Sequence, residues 1–112
     1  MVDETSNKIA IGQTFNAIDI IDYQTGAVVS RTLIDEDHGT VTLFAFDNGQ
    51  GLSEHTAPFD ALALILEGSA ETTISGHKTP VKLGEMIIMP AGKPHSIRAT
   101  QKCKMLLIMI RT

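Results

Sequence analysis

Apolar residues in this chain fall in short runs, broken by turn-forming residues about every ten positions, and they do not recur at helical spacing. Residues 28–34 and 40–46 are rich in Val, Thr, Ile and Phe, side chains that suit a pleated surface. A polar segment at 35–39 turns the chain between them. A second turn at 47–51 offers Gly49 and Gly51 for positive φ. Residues 61–66 are continuously apolar and read as a strand buried on both faces. Residues 71–74 lead into a hairpin turn at 75–78. Strands are also expected at 85–89, stopped by Pro90, and at 96–99 and 104–110. Residues 16–23 read either as a helical turn or as an N-terminal strand. The sum is an antiparallel sandwich or barrel.

Several of these strands are apolar on both faces, more than one small barrel interior needs. A second packing layer and a dimer interface both account for that, and the homodimer is the favoured expectation. The length of 112 residues sets one domain. Its expected division is an N-terminal extension over 1–25, available for dimer formation, and a barrel over 26–112. A net charge of −4 argues against nucleic acid or an anionic membrane as partner. The longest strongly apolar run, 105–110, is far short of a membrane span. Cys103 is the sole cysteine, so no internal disulfide forms, and the first ten residues do not read as a secretory signal. A cytoplasmic location is expected.

Two clusters carry candidate chemistry. In the first, Gly49 is followed after five residues by His55, and Gly68 closes the segment. In the second, Gly84, Pro90, Gly92 and His95 follow in fixed spacing, and fifteen residues, 69–83, lie between the clusters. Together these seven positions resemble the two signature motifs of the cupin superfamily, in the form of a small single-domain bacterial cupin. The resemblance implies an all-β fold, the RmlC-like double-stranded β-helix or jelly-roll barrel.

In metal-binding cupins, two histidines and a glutamate of the first motif join the histidine of the second around one ion. Carried over residue by residue, the resemblance makes His55 the first ligand and His95 the last. The second histidine position is Ala57, the glutamate position is Ala61, and the closing asparagine position of the second motif is Ala99. Catalytic zinc and non-haem iron normally take three protein ligands. Asp60 is the candidate to complete a two-histidine, one-carboxylate set, although its neighbour Ala61 is the one expected to point inward. A salt bridge or a turn-stabilising hydrogen bond is the alternative role for Asp60.

Without a metal, His55 and His95 are hydrogen-bonding groups in a pocket lined by Ala57, Ala61 and Ala99. Small side chains there imply a roomy apolar space suited to a small organic guest. Met86, Met89, Met105 and Met109 are either soft pocket lining or ordinary core. His38, His77 and Glu54 read as solvated. The chain is thus expected to bind a small molecule in a barrel pocket whose metal site is degenerate. The alternative is a metal-dependent isomerase or dioxygenase holding Fe, Mn, Ni or Zn through His55 and His95. A third reading, a structural or assembly role, requires a pocket packed shut by Leu and Met.

Overall fold

A computed structural model describes residues 1–4, 9 and 11–111, so positions 5–8 and 10 of the expected N-terminal extension, and Thr112, lie outside the described residues. The strands are β1 (Val2–Asp3), β2 (Val28–Glu36), β3 (Gly39–Phe46), β4 (Gly51–His55), β5 (Ala61–Glu67), β6 (Ser69–Ile74), β7 (His77–Lys82), β8 (Met86–Met89), β9 (His95–Ala99) and β10 (Cys103–Ile110). They form two sheets, ordered β1-β2-β3-β10-β5-β8 and β4-β9-β6-β7. From β3 onward the chain passes between the sheets at every connection except the β6–β7 hairpin, which is the jelly-roll arrangement. Residues 16–23 adopt the helical alternative, as a short 3-10 turn at Ala17–Asp19.

Strand alternation sorts the side chains into two layers. Inward-facing Phe44, Phe46, Ala63, Ile65 and Met105 of the six-stranded sheet meet Ala70, Ile97 and Ala99 of the other in one core. Phe46 is fully buried and stacks on Phe44 with ring centroids 5.6 Å apart. Cys103 is buried in the same core, and burial pushes its thiol up to about 12, so it is an inert packing residue.

The hairpin turn is two residues long. Ser75 (φ 49°) and Gly76 (φ 79°) both take left-handed backbone, as a type I′ turn demands. The second expected use of positive φ, at Gly51, does not occur: Gly49 has φ 81°, but Gly51 is not left-handed. Gly51 is required for a different reason. A Cβ there would lie 1.8 Å from the Ile97 carbonyl oxygen on the neighbouring strand.

Much of the apolar excess on the outer face of the six-stranded sheet is covered by the chain itself. Val29, Leu43 and Ala45 are buried there beneath Ile21, with Ala17, Ile20, Tyr23 and Leu106 packed around them. The described N-terminal residues therefore supply a second layer over one half of this face. Polar fastenings hold the layer down. The Tyr23 hydroxyl donates to Glu67 Oε1 at 2.6 Å, and the buried Lys104 ammonium donates to the Ile18 carbonyl while lying over the Tyr23 ring. Burial, and then the adjacent Glu67 carboxylate, hold the Tyr23 phenol well above its ordinary value, so it remains a donor at any physiological pH. Tyr23→Phe is expected to cost about 1–2 kcal/mol, because a partly buried carboxylate loses its donor. Urea unfolding measures it, and a loss indistinguishable from zero would show that the contact holds nothing in place.

Candidate functional site

The two histidines arrive by different routes. His95 opens β9 after the Pro90–Gly92 loop, and its side chain is 3% exposed. His55 closes β4 and is more open to solvent. Strict alternation from Leu52, which faces the core, would send His55 outward, because three positions separate them. The pairing shows how this is avoided. Leu52 stands opposite Ile97 and His55 opposite His95, so β4 spends one residue more than β9 over the same interval. That β-bulge turns His55 back onto the inner face. The rings meet edge to face, with centroids 4.4 Å apart.

Both rings are oriented by their own backbone. His55 Nδ1 lies 2.9 Å from the Ser53 carbonyl, and His95 Nδ1 lies 3.2 Å from the Lys93 carbonyl. A carbonyl can only accept, so each Nδ1 carries a proton, and in a neutral ring the Nε2 lone pair is left free. Neither Nε2 has a hydrogen-bond partner among the described residues. Burial, and then the neighbouring His55, lower the pKa of His95 below its ordinary 6.5, outweighing the Lys93 carbonyl. At neutral pH the pair therefore presents at least one neutral acceptor nitrogen, at His95.

Around the rings lie Leu52, Ala61, Met89, Ile97, Leu107 and Met109, together with Ser96. The wall is almost wholly apolar. The space is narrower than the alanine substitutions imply, about 280 Å³ with its open mouth included. Met89, Met109 and Leu107 close in on the volume that the missing polar side chains leave.

Of the pocket residues expected from the sequence, His55, His95 and Ala61 are brought together. Ala57 and Ala99 are not in the wall. Ala57 sits in the loop before β5, where its carbonyl accepts from the Gly92 N–H at 2.8 Å. Ala99 is fully buried at the far end of β9, paired with Ala70. Four residues of strand carry it about 13 Å from His95. Met89 and Met109 are lining, Met105 is core, and Met86 is exposed. Leu52, Ile97 and Leu107 were not singled out from the sequence, since nothing in a run of apolar residues marks which of them borders a cavity.

Asp60 does not join the histidines. It is exposed, and its Oδ1 accepts from the Ala91 N–H at 2.8 Å, which ties the loop before β5 to the loop that delivers His95. Among the described residues, no group of three His, Cys, Asp or Glu side chains is placed to hold a metal ion. The donor set thus stops at two imidazoles, one short of the three that a stable catalytic ion takes. No step of chemistry through a metal follows from these residues. No helix among the described residues is long and apolar enough to cross a membrane.

Comparison with known proteins agrees with the geometry. The Cupin domain family model matches residues 42–110. A conserved Streptococcus pyogenes protein of unknown function is 33% identical, with a TM-score of 0.89 over 95% of this chain and 93% of that one. A cupin superfamily protein from Desulfitobacterium hafniense is 27% identical, with a TM-score of 0.88 over 95% and 97% of the two chains. A cupin 2 conserved barrel domain protein from Leptotrichia buccalis is 36% identical, with a TM-score of 0.84 over 87% of this chain but 47% of that one. No curated protein matches. Matched over more than half its length by the family and almost end to end by solved relatives, the chain belongs to the cupin family.

Proposed function

We propose that this protein binds a small organic molecule at the barrel mouth, with Nε2 of His55 and Nε2 of His95 accepting hydrogen bonds from it. The observation that carries the reading is the anchoring of both Nδ1–H groups on backbone carbonyls, which leaves two acceptors side by side in an apolar wall. Such a site selects a ligand with N–H or O–H donors on a compact head group. The narrow interior takes only that head group, while the rest of the ligand lies in the open mouth.

Histidine-selective 15N NMR tests both halves of this. Above pH 6.5 the neutral His95 ring is expected in the Nδ1–H form, and a screen of small alcohols, amines and amides is expected to shift the Nε2 signals. An Nε2–H tautomer at both rings, or no responding compound, would overturn the reading.

A second reading, the metal-dependent isomerase or dioxygenase, has one observation in its favour: carbonyl anchoring of Nδ1 is also how proteins orient imidazoles toward a metal. It lacks a third protein donor. Metal analysis separates the two. Stoichiometric transition metal in the wild type, lost on His95→Ala and retained on Asp60→Ala, would favour the metal reading with exogenous ligands. A metal-free protein that still binds its small molecule favours ours. The proposed setting is the reducing cytoplasm, where Cys103 stays a thiol, and the proposed protein partner is a second copy of the chain.

A further inference from the structure

We propose that Asp60 is a positioning residue for the acceptor nitrogen of His95, acting through the loop at 90–94. This role rests on the ligand-binding reading and adds the side chain that keeps one of its two acceptors in place.

The two histidines close the β4–β9 ladder. His55 is the last residue of β4, His95 is the first of β9, and they stand opposite one another. Their anchors differ. His55 Nδ1 rests on the carbonyl of Ser53, inside β4, with paired residues Leu52 and His55 on either side. His95 Nδ1 rests on the carbonyl of Lys93, which precedes β9 and belongs to the loop. Strand pairing holds the first carbonyl, so the second must be held by the loop's own fastenings.

Those fastenings come from both sides. The Ala91 N–H donates to Asp60 Oδ1 at 2.8 Å, and the Gly92 N–H donates to the Ala57 carbonyl at 2.8 Å. Across the loop, the Pro94 carbonyl accepts from the Ser75 N–H of the β6–β7 turn at 2.8 Å. Pro90 and Pro94 have no N–H, so the loop has donors only at Ala91, Gly92 and Lys93. Two of the three go to the segment between β4 and β5. Proline also fixes φ at both ends, which leaves the loop few torsions in which to absorb a shift at Ala91.

Of these bonds, only the one to Asp60 is made by a side chain. A carboxylate acceptor makes a bond about twice as strong as a neutral one. The partners lie 31 residues apart, so the bond clamps two loops together and is not a local turn bond. The contact that depends on the clamp is the weaker of the two histidine anchors. It measures 3.2 Å, the long end of N–H···O distances, against 2.9 Å for His55. Retreat of the Lys93 carbonyl by about half an ångström ends it. The ring is then free to carry its proton on Nε2, and the acceptor is lost.

Histidine-selective 15N NMR above pH 6.5 tests this with wild type, Asp60→Ala, Asp60→Asn and the control Glu54→Ala. Asp60→Ala is expected to move the His95 tautomer ratio about tenfold toward the Nε2–H form, the worth of one ordinary hydrogen bond, and to leave His55 as in wild type. Asp60→Asn keeps an acceptor oxygen and is expected to restore the wild-type ratio. Glu54→Ala removes another exposed carboxylate, beside His55, and is expected to change neither ring, which separates positioning from loss of charge. Circular dichroism checks the fold. Should Asp60→Ala fail to fold, Asp60→Glu, whose carboxylate lies one methylene farther out, carries the test with the same expected shift. A variant that unfolds in less urea but keeps the wild-type His95 tautomer would reduce Asp60 to a structural tie and overturn the proposal, leaving the ligand-binding reading intact. Equal shifts at both rings would mean general loosening, with the same consequence. His95 already in the Nε2–H form in wild type would sink the acceptor reading and this role together.

Discussion

Gly68→Ala is expected to destabilise the protein by about 3–5 kcal/mol, against about 1 kcal/mol for Gly76→Ala, although both glycines are left-handed. Gly68 has φ 74° and Gly76 has φ 79°, so the backbone penalty is nearly the same. What differs is the space. Nothing lies within 4 Å of a Cβ built at Gly76, whereas one at Gly68 would sit 1.9 Å from the Lys102 carbonyl oxygen. Gly68 joins β5 to β6, where the chain passes from one sheet to the other, and Lys102 immediately precedes β10. Relief of the clash must push the start of β10 away from the crossing and open the buried packing around Cys103 and Met105. Since small domains are stable by roughly 5–15 kcal/mol, such a loss takes a large share of the total. Urea denaturation of the two variants decides the matter: equal losses would mean that conformation alone, and not the close approach of strands, requires the glycine.

Acidification is expected to weaken the fold and to abolish ligand binding through His95. Its folded-state pKa lies below the ordinary 6.5 because burial, and then His55, disfavour the imidazolium. Between those two values the unfolded chain binds more protons than the folded one, so stability rises with pH there. The contribution is fully present above about pH 6.5 and is lost as pH falls toward the folded-state value. The same protonation converts Nε2 from acceptor to donor. Affinity for a donor-bearing ligand should then fall about tenfold per pH unit below the folded-state pKa. In His95→Gln the acid slope of stability should flatten over that interval, which thermal unfolding at a series of pH values would reveal. A variant with the wild-type slope would place the responsible proton elsewhere.

The interior strands were legible because burial leaves a mark on composition. β2, β3, β5 and β10 are rich in branched and aromatic side chains and appear close to their expected positions. β4 and β7 carry no strand signal in the sequence. Each is the outer strand of the four-stranded sheet, largely exposed, and polar enough to read as loop. Pro80 within β7 strengthens that reading, and it is tolerated there because an edge strand has an unpaired side. The outer-face apolar residues read as surplus, and the sequence favours a second copy over a layer of the same chain, whereas described N-terminal residues pack on part of that face. That division depends on where the N-terminal residues pack, and the structure shows both a covered half and an uncovered one.

The β architecture and the identity of the two histidines are legible in the residues alone, because strand composition, turn glycines and motif spacing are local properties. How those histidines are placed depends on contacts between distant strands. The register shift between β4 and β9 turns His55 inward, and such a shift exists only when two distant strands are paired. The Ala91 N–H claims the Asp60 carboxylate across a loop 31 residues away in sequence. Met89, Met109 and Leu107 narrow the space that alanines at the ligand positions left free. Each of these outcomes depends on which groups meet across the barrel, and packing in three dimensions sets that.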